Sequence, residues 1–572
     1  MQIIPAENLV LPSNAEDSKK DEMTPKHTRQ KREVEEVMDT DDDGIYDSWE
    51  REGYTVINRV VVKWDQEKHK PLGYTKFVSD PNDAHTAGDP YTDYEKAAGI
   101  IDKAVSRVVL NPLVPAYPSI GVSMEKFIIS KNKNVSEEEG KSLTISQGSS
   151  TTKSVDVGMN TSLHASLLDF GASVSASFHE GSSHTLSTEQ GKGKSWSESI
   201  GLNTADSAYY NGNIRYFNRG TAPIYNAEPT TSLVLDTGKK AKTLFTVKAK
   251  ENQKAQVVKP GDSYPRKGLA PISMRNMDDF GSTPIPLSYD QLNDLEKGTP
   301  LSLETDQFAG DYIKVINGNQ SSPEPWTYWL TQIEQSSARL ILNDGDSETE
   351  RRIAARTAEG YDQETKPEVT LGEAMELTFG IPKSDKPAYK GDLIQYVFDE
   401  NTAKEVKKQL KNMGDQADLQ NVKLKAGMQV MLKTNLVHNG SFQNEFGDWG
   451  EKLGSLTIEK GQGPDSENVL SISEFGGICQ EWIKVLPETN YKVELSVKQD
   501  ADDGSEVTIA SKNGKELGKL AIKEKESNGE FKTYTFHFHS GQNTEVGLYF
   551  VYLASSGTKH PMNVTNFKIT RR

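Results

Sequence analysis

The segment Asp39-Thr40-Asp41-Asp42-Asp43-Gly44-Ile45-Tyr46-Asp47-Ser48-Trp49-Glu50 decides how the folded part of the chain begins. Its spacing matches the EF-hand loop that wraps Ca²⁺, with glycine at the sharp turn and glutamate at the end. Ca²⁺ prefers about six to eight oxygen ligands. The candidate ligands are the carboxylates of Asp39, Asp41, Asp43 and Glu50 and the carbonyl of Ile45, with Asp47 placed to contribute through a water. The alternative is an acidic turn held only by solvent.

The residues after this loop favour a structural ion over a switch. Gly53 stops any helix that leaves the loop, and the run Tyr54-Thr55-Val56-Ile57 is typical of a strand. A calcium switch needs a second loop and paired amphipathic helices that move. We therefore expect the ion to fold an acidic segment that buries too little apolar surface to hold itself together.

Length and composition narrow the class of protein. At 572 residues the chain is too long for one hydrophobic core, so several domains are expected. A formal net charge of −17 argues against a nucleic-acid partner, because phosphate recognition needs clustered Lys and Arg. The single cysteine, Cys479, excludes an internal disulfide. No nucleophile elbow, zinc-binding helix motif or phosphate loop stands out in the sequence, so an enzyme is the least favoured class.

The pattern from Tyr54 onward is mainly β, with β-branched runs separated by Gly and Asn turns. Short helices are predicted at 289–297, 350–357 and 400–412. No stretch approaches the ~20 apolar residues of a membrane-spanning helix, and no signal-peptide pattern opens the sequence. We expect a soluble, secreted chain that is already trimmed or was expressed without its leader.

Residues 1–36 are polar and rich in charge, which predicts a flexible leader. The basic run near its end suits a trypsin-like or furin-like protease, which needs an accessible Arg or Lys. The candidate cleavage residues are Arg29, Lys31 and Arg32. An ordinary basic patch on a tail is the alternative.

The stretch 142–196 predicts an amphipathic hairpin. Apolar and polar residues alternate over 154–166 and again over 170–179, and each arm has the ~9 to 11 residues that a tilted strand needs to cross a bilayer. Leu167, Leu168 and Phe170 form an apolar tip, whereas soluble hairpins prefer Asn-Gly or Asp-Gly turns. A hairpin packed on a soluble sheet is the alternative.

One hairpin cannot cross lipid by itself, because its two edges would leave backbone groups unpaired in hydrocarbon. Closure of a β-barrel needs hairpins from several chains. The pattern therefore predicts a homo-oligomer, with a target membrane as its partner.

These features resemble the anthrax protective antigen family, the binding and translocation subunits of binary toxins. The resemblance covers roughly residues 29–434 and rests on several motifs besides the acidic loop. They include Asp89-Pro90-Tyr91-Thr92-Asp93-Tyr94-Glu95-Lys96, Gly201-Leu202-Asn203-Thr204-Ala205-Asp206, Asn213-Ile214-Arg215-Tyr216, Pro229-Thr230-Thr231-Ser232-Leu233-Val234-Leu235 and Glu350-Arg351-Arg352-Ile353-Ala354-Ala355.

The resemblance implies a non-enzymatic toxin subunit that is cleaved after Arg32 and binds a cell-surface receptor. Such subunits assemble into a ring, a heptamer in the family, and insert a barrel into the endosomal or plasma membrane. The pore then carries a separate enzymatic toxin partner across. The stretch before Arg32 is far shorter than the family's N-terminal domain, so we expect a chain shortened at that end.

The resemblance also implies functional residues. A second Ca²⁺ would share Asp41, Asp43 and Glu50, completed by Asp93 and by carbonyls near Asp80 and Asp83. Phe280 would form the aromatic collar that narrows the pore. Without the resemblance, an aromatic residue packed in an ordinary loop is the favoured interpretation of Phe280. Lys250 and Asp278 match positions that need a charge for conversion of the prepore to the pore.

The end of the chain differs from protective antigen. Asn439-Gly440-Ser441-Phe442, Trp449 and Trp482 resemble carbohydrate-binding jelly-roll modules, which insecticidal binding components of this family carry. The receptor is then expected to be a glycan or a glycoprotein. Buried tryptophans in a sandwich core are the alternative, so no sugar-binding residue is assigned.

The predicted fold is mainly β and multidomain. Its parts are a flexible leader at 1–36, a calcium-binding domain at 37–112, a pore-forming domain at 113–336 with its membrane hairpin at about 142–196, a small α+β oligomerisation domain at 337–434, and a C-terminal β-sandwich (jelly roll) at 435–572 that binds the receptor. Two other functions stay open: a pore that kills without a partner, and a calcium-stabilised lectin or adhesin.

Overall fold

The computed structural model of the protein describes residues 38–130, 141–145, 172–174, 185–187, 207–228, 230–236, 241–248, 254–266, 269–275, 285–286, 301–305, 310–316, 318–357, 365–383, 394–443, 446, 449–450, 452–499, 504–522, 530–553 and 561–572. Within these ranges, no helix is both long enough and apolar enough to cross a bilayer.

The N-terminal part of the described chain is a small, loop-rich domain. The acidic loop leads into helix α1 (Asp47–Glu52), which ends at Gly53. Gly53 has φ of 121°, a backbone conformation that residues with a side chain rarely adopt, so glycine is favoured there. Strands β1 (Tyr54–Ile57) and β2 (Val60–Lys63) then form an antiparallel pair, and the expected helix stop and strand are confirmed.

Two further helices and a buried ion pair complete this domain. The helices are α2 (Gln66–His69) and α3 (Asp93–Ala97), and 3₁₀ turns lie at Lys70–Leu72 and Arg107–Leu110. Lys96 and Asp89 are fully buried and pair at 2.8 Å, and the Lys96 ammonium also donates to the carbonyls of Pro112 and Val114. This pair joins α3 to the segment that leaves the domain.

The next region is built almost entirely of strands. They are β3 (Ile120–Ser130), β4 (Lys141–Ile145), β5 (Ala172–Val174), β6 (Thr185–Ser187), β7 (Ser207–Asn218), β8 (Ile224–Ala227), β9 (Thr230–Asp236), β10 (Ala241–Lys248), β11 (Ala255–Val258), β12 (Ser263–Tyr264), β13 (Ile272–Arg275), β14 (Ile285–Pro286), β15 (Leu301–Thr305), β16 (Asp311–Tyr312), β17 (Val315–Ile316), β18 (Asn319–Gln320) and β19 (Glu324–Pro325). Helix α4 (Thr327–Ser336) follows them.

Most of these strands join one ten-stranded sheet in the order β10-β9-β15-β6-β4-β3-β7-β12, and β13 and β14 also pair with β7. A smaller sheet has the order β11-β8-β16-β19, and β17 pairs with β18. The long antiparallel pairing of β3 with β7 forms the middle of the large sheet. Strand β5 belongs to neither of these sheets.

A small α+β domain follows. It contains β20 (Ser337–Asn343), β21 (Glu348–Ala354), α5 (Leu371–Phe379), β22 (Gln395–Phe398), α6 (Glu400–Met413), 3₁₀ turns at Gly414–Gln416 and Leu419–Asn421, and β23 (Gln429–Lys433). The sheet order is β21-β20-β23-β22-β5, so a strand from the preceding region is added at its edge. Residues of α5 and α6 pack on one face of this sheet in a single apolar core.

The helix predictions had mixed outcomes. The helix at 400–412 is confirmed as α6, whose Val406 and Leu410 are buried. The helix predicted at 350–357 is wrong, because most of that segment lies in β21. Its residues pair with β20, and burial of the Glu350 carboxylate, described below, overrides their local helix preference. The segment 289–297 lies outside the described residues.

The C-terminal region is the expected β-sandwich. Its strands are β24 (Lys452–Glu459), β25 (Val469–Lys484), β26 (Asn490–Lys498), β27 (Gly504–Ser511), β28 (Glu516–Ile522), β29 (Lys532–His539), β30 (Glu545–Leu553) and β31 (Met562–Arg571). The long strand β25 pairs with β31 at one end and with β30 at the other, and so links the two layers. Alternate residues of both layers meet in one core.

Trp449 lies in this core. It is 5% exposed, its ring contacts Phe442 and Phe567, and its indole N–H donates to the Asn439 carbonyl. The segment Asn439–Phe442 therefore forms part of the sandwich core in this structure. The Trp482 side chain lies outside the described part.

A buried carboxylate joins the β-rich region to the small α+β domain. Glu350 on β21 accepts hydrogen bonds from the Ser119 hydroxyl at 2.9 Å and from Arg339 at 3.0 Å, and Arg219 lies 3.5 Å away. The Tyr117 hydroxyl also donates to it at 3.3 Å. Burial alone would raise the pKa of Glu350, but Arg339, Arg219 and Arg352 together hold it well below its usual value.

The turn between β20 and β21 joins the small domain to the sandwich. The Gly345 carbonyl accepts from the Asn439 amide at 2.8 Å, and the Asp346 carboxylate accepts from the Ser441 amide at 3.1 Å. A Cβ at Gly345, where φ is 92°, would lie 2.2 Å from the Val437 carbonyl oxygen. Only glycine therefore permits this close approach.

Replacing Glu350 by glutamine should destabilise the protein by about 3–5 kcal/mol, because the buried arginines around it would lose their counter-charge. Urea unfolding followed by tryptophan fluorescence measures this loss. Glu334→Gln is the matched control, since Glu334 is exposed on α4 and should change stability by less than about 0.5 kcal/mol. Equal stability of the two variants would contradict a role for Glu350 as the joint.

Candidate calcium centre

The acidic loop folds into a cluster of carboxylates. One oxygen each from Asp39, Asp41 and Asp43 lie within 4.8 Å of one another. A second cluster joins Asp43 to Glu50 and Asp93 within the same distance. Asp43 therefore belongs to both clusters, and residues close together in sequence are joined to Asp93 at the start of α3.

Backbone hydrogen bonds hold the first cluster. The Gly44 amide donates to Asp39 at 3.0 Å, the Asp43 amide to Asp41 at 3.3 Å and the Ile45 amide to Asp43 at 2.8 Å. Each bond uses one oxygen of the accepting carboxylate. The loop itself thus orients the carboxylates without a bound ion.

The second cluster is buried more deeply. Glu50 is fully buried, and one of its oxygens accepts from the Ser79 hydroxyl at 2.8 Å. Asp93 is also fully buried and accepts from the Thr86 hydroxyl at 2.7 Å. The side chain of Thr92 caps α3 and so fixes the helix end that carries Asp93.

The second oxygens of these carboxylates identify the centre. Asp39 Oδ1, Asp41 Oδ2, Asp43 Oδ2 and Glu50 Oε2 are all buried, and none has a hydrogen-bond partner within the described chain. Buried carboxylate oxygens without donors are costly unless a cation neutralises them. An all-oxygen donor set of this kind fits Ca²⁺, which prefers hard, anionic ligands.

Burial and mutual repulsion also change the proton affinity of the cluster. Burial, with repulsion from neighbouring carboxylates, raises the pKa of Asp41 to about 6, that of Asp43 to about 7 and that of Glu50 to about 9. Burial raises the pKa of Asp93 as well. Without a bound cation, Glu50 and part of Asp43 would hold protons at neutral pH, and Ca²⁺ must displace these protons to bind.

Other predicted ligands lie around these clusters with different contacts. Ile45 is fully buried two residues after Asp43. Both oxygens of Asp47 instead accept from Thr40, at 2.8 Å from its amide and 2.7 Å from its hydroxyl. Asp47 thus closes the loop on itself, and its water-mediated contribution to an ion stays a prediction.

The carboxylates of Asp80 and Asp83 lie outside both described clusters. Asp80 accepts from the Asn82 amide at 3.1 Å and from the Thr365 hydroxyl at 3.3 Å, and Asp83 accepts from the His85 amide at 3.0 Å. The resemblance assigned carbonyls near these two residues, and that assignment stays a prediction.

Sequence reasoning missed Ser79 and Thr86. Both are fully buried, and their hydroxyls orient Glu50 and Asp93. Neither stands in a ligand pattern, because each reaches the centre only through the fold. The loop 79–93 as a whole, rich in Asp and Thr, was the only signal that could have indicated them.

The remaining predicted site residues lie outside the described part of the chain. They are the cleavage residues Arg29, Lys31 and Arg32, the hairpin tip Leu167, Leu168 and Phe170, the conversion residues Lys250 and Asp278, and the collar residue Phe280. Their roles stay predictions.

Comparison with known proteins agrees with this centre. Residues 38–115 match the Ca-binding domain of the clostridial binary toxin B/anthrax toxin PA family, residues 118–321 match its domain 2, and residues 329–426 match its domain 3. Protective antigen of Bacillus anthracis is 39% identical over 469 residues, which cover 76% of this chain and 59% of that protein. The chain thus spans less than two thirds of this relative's length.

A solved structure is also similar. The transport component C2-II of the C2-toxin from Clostridium botulinum has 32% sequence identity and a TM-score of 0.53, over 69% of this chain and 70% of that one. Fold and centre together define a multidomain, mainly β protein with a calcium-binding domain. The chain belongs to the clostridial binary toxin B/anthrax toxin PA family.

Calcium should stabilise the protein more at pH 8 than at pH 5.5. Carboxyls in unfolded chains titrate near ~4, so the raised pKa values of Asp41, Asp43 and Glu50 make the cation-free fold lose stability as the pH rises from about 4 to 9. Ca²⁺ binds the deprotonated carboxylates, so its effect grows over the same range. The gain reaches about 4 kcal/mol when calcium is about a thousandfold above its Kd.

Differential scanning calorimetry with calcium or with a chelator, at both pH values, measures this difference. Magnesium at the same concentration is the control, because it demands a more regular, smaller coordination shell. A calcium-induced shift in Tm that is equal at the two pH values would contradict the assignment.

Proposed function

We propose that the chain is the secreted, non-enzymatic binding and translocation subunit of a binary toxin. Family membership supports this, as does the similarity to a protective antigen and to the transport component of a toxin. On this proposal the protein is cleaved after Arg32, binds a cell-surface receptor through residues 435–572, and assembles into a ring, as a heptamer. The ring then inserts a β-barrel into the target membrane.

One structural observation carries the proposal. Strands β4 and β6, at the two ends of the predicted membrane hairpin, are antiparallel neighbours with Thr144 opposite Ser187 and Ile145 opposite Leu186. The intervening chain therefore leaves and returns at adjacent strands of the large sheet. This is the connection that a two-stranded contribution to a barrel requires.

The register of this pair fits the predicted tip. In a barrel hairpin that continued this register at equal steps from Ile145 and Leu186, the turn would fall at residues 165 and 166. The apolar residues Leu167 and Leu168 follow directly. The tip that leads through the bilayer would thus be its most apolar part, as insertion demands.

Exposed apolar side chains on the calcium-binding domain are compatible with an enzymatic partner. Leu72 is 73% exposed and Val60 57% exposed. The rings of Trp64, His69 and Tyr74 form a surface row, with centroid distances of 5.4 and 6.2 Å between neighbours. Apolar surface of this kind favours protein association over solvent contact. A pore that kills without a partner is the second candidate, because the hairpin geometry serves it equally.

The collar and conversion roles complete the proposal. Phe280, repeated around a ring, would seal the pore and grip an unfolded chain, while Lys250 and Asp278 would supply charges for conversion. The shared position of Asp43 in both carboxylate clusters supports two calcium ions rather than one.

Trypsin-treated protein should release dye from liposomes at pH 5 and raise the conductance of planar bilayers in discrete steps. Uncleaved protein should do neither, because its hairpin remains in the soluble fold. The triple variant Arg29→Gln, Lys31→Gln and Arg32→Gln is the control for cleavage at the predicted run. Absence of conductance after verified cleavage, at both pH 5 and pH 7, would refute the pore, whereas a cell-binding protein without conductance would favour the lectin alternative.

The two-ion proposal predicts unequal effects of single substitutions. Asp43→Asn removes a ligand common to both clusters and should lower the affinity for both ions by about tenfold or more. Loss of a residue that only orients a metal ligand already lowers metal affinity by about that factor. Asp39→Asn should weaken one ion only.

Calcium titration by calorimetry counts the ions. Asp42→Asn is the matched control, because Asp42 is exposed in the same loop, lies in neither cluster and has φ of 58°, which asparagine tolerates. A single ion in the wild-type protein would contradict the proposal, as would equal effects of Asp43→Asn and Asp42→Asn.

A further inference from the structure

The predicted membrane hairpin is held by two domains at once. Its base, β4 and β6, lies in the ten-stranded sheet. Part of its descending arm, β5, instead lies parallel to β22 of the small α+β domain. The partners in register are Ala172 with Tyr396, Ser173 with Val397 and Val174 with Phe398.

This pairing closes the edge of a sheet. In the order β21-β20-β23-β22-β5, strand β22 would be the edge strand without β5. All four residues of β22 are buried. A hydrophobic strand such as Gln395–Phe398 is a liability at an open edge, because its backbone groups would be free to pair with other chains.

The sheet also has a second apolar face next to this edge. Tyr396 and Phe398 point into the core formed with α5 and α6, and Val397, between them, lies on the opposite face. There Val397 is 6% exposed and forms a separate cluster with Ile341, against which Met431 packs. Val397 is the residue that pairs in register with Ser173.

We propose that the edge of β22 is a strand-binding site that holds the descending arm in the soluble chain, an inference that rests on the proposed function. Strand β5 must leave this site before the pore forms. The partner it fits is an extended segment with small residues, here Ala172-Ser173-Val174. Recognition is through the backbone, as in other cases where a strand is added to a sheet edge.

The two pairings of β5 exclude each other. A barrel strand uses both of its edges, one for its own hairpin and one for the next subunit. While β5 is still paired with β22, one of its edges is occupied, so the barrel cannot close. A parallel strand of three residues is a weak attachment, so it can be released without unfolding the small domain.

A reducible crosslink tests this. The pair Ser173→Cys and Val397→Cys joins positions that are partners in register, and neighbouring strands lie about 4.8 Å apart, within the range of a disulfide. The native Cys479 is buried and does not compete. The oxidised, trypsin-cleaved protein should release less than about a tenth of the wild-type amount of dye from phosphatidylcholine liposomes at pH 5, and a reductant should restore release.

The matched control is the pair Val56→Cys and Val61→Cys, which are partners in register in β1 and β2. Its crosslink should leave release unchanged. Wild-type release from the Ser173–Val397 protein, with the bridge verified by mass spectrometry, would overturn the strand-binding site while leaving the proposed pore intact. No release from the wild-type protein would instead overturn the proposed function.

Hydrogen exchange keeps the inference testable if the double variant folds poorly. In the wild-type protein, those amides of β22 that face β5 should exchange slowly before conversion to the pore and at least about tenfold faster afterwards, while those of β20, inside the sheet, stay slow. Unchanged protection of β22 after conversion would overturn the inference.

Discussion

A single carboxylate, that of Glu350, holds together parts of the chain that lie far apart in sequence. It binds Ser119 and Tyr117 just before β3, Arg219 just after β7, and Arg339 from its own sheet. Arg219 also pairs with Glu348 at 2.9 Å, so opening of this joint would remove one of its carboxylate partners and would take the Glu350 counter-charge from Arg339. The β3–β7 part of the large sheet and the small α+β domain are therefore held together around the buried Glu350 carboxylate.

The calcium centre shows what local sequence can predict. The spacing of Asp39, Asp41, Asp43 and Glu50 is a property of one continuous loop, and the structure brings these carboxylates together. Ser79 and Thr86 were missed because they reach the centre only through the path of the chain from 53 to 93. Local pattern thus predicts ligands within a loop, whereas the groups that orient them depend on the tertiary fold.

The same distinction explains the wrong helix. The residues from Glu350 to Ala355 include good helix formers, and their local preference favoured a helix. In the structure they pair with β20, which directs Glu350 towards Arg339 and Arg219. The mainly β class, the small α+β domain and the C-terminal sandwich could all be predicted because alternation and turn residues repeat over many strands. The edge position of β5 could not, since nothing in three small residues indicates a parallel partner more than two hundred positions away.

The contact at Gly345 has a consequence for binding at a cell surface. The sandwich is fastened to the small domain through backbone groups that tolerate no side chain between them. In the proposed ring, neighbouring sandwiches would stand at a fixed spacing rather than on flexible tethers. Once the first module engages a receptor, the others face the membrane at high effective concentration, and avidity rises where receptors cluster at that spacing. Cells would then be distinguished by receptor density as well as by receptor identity.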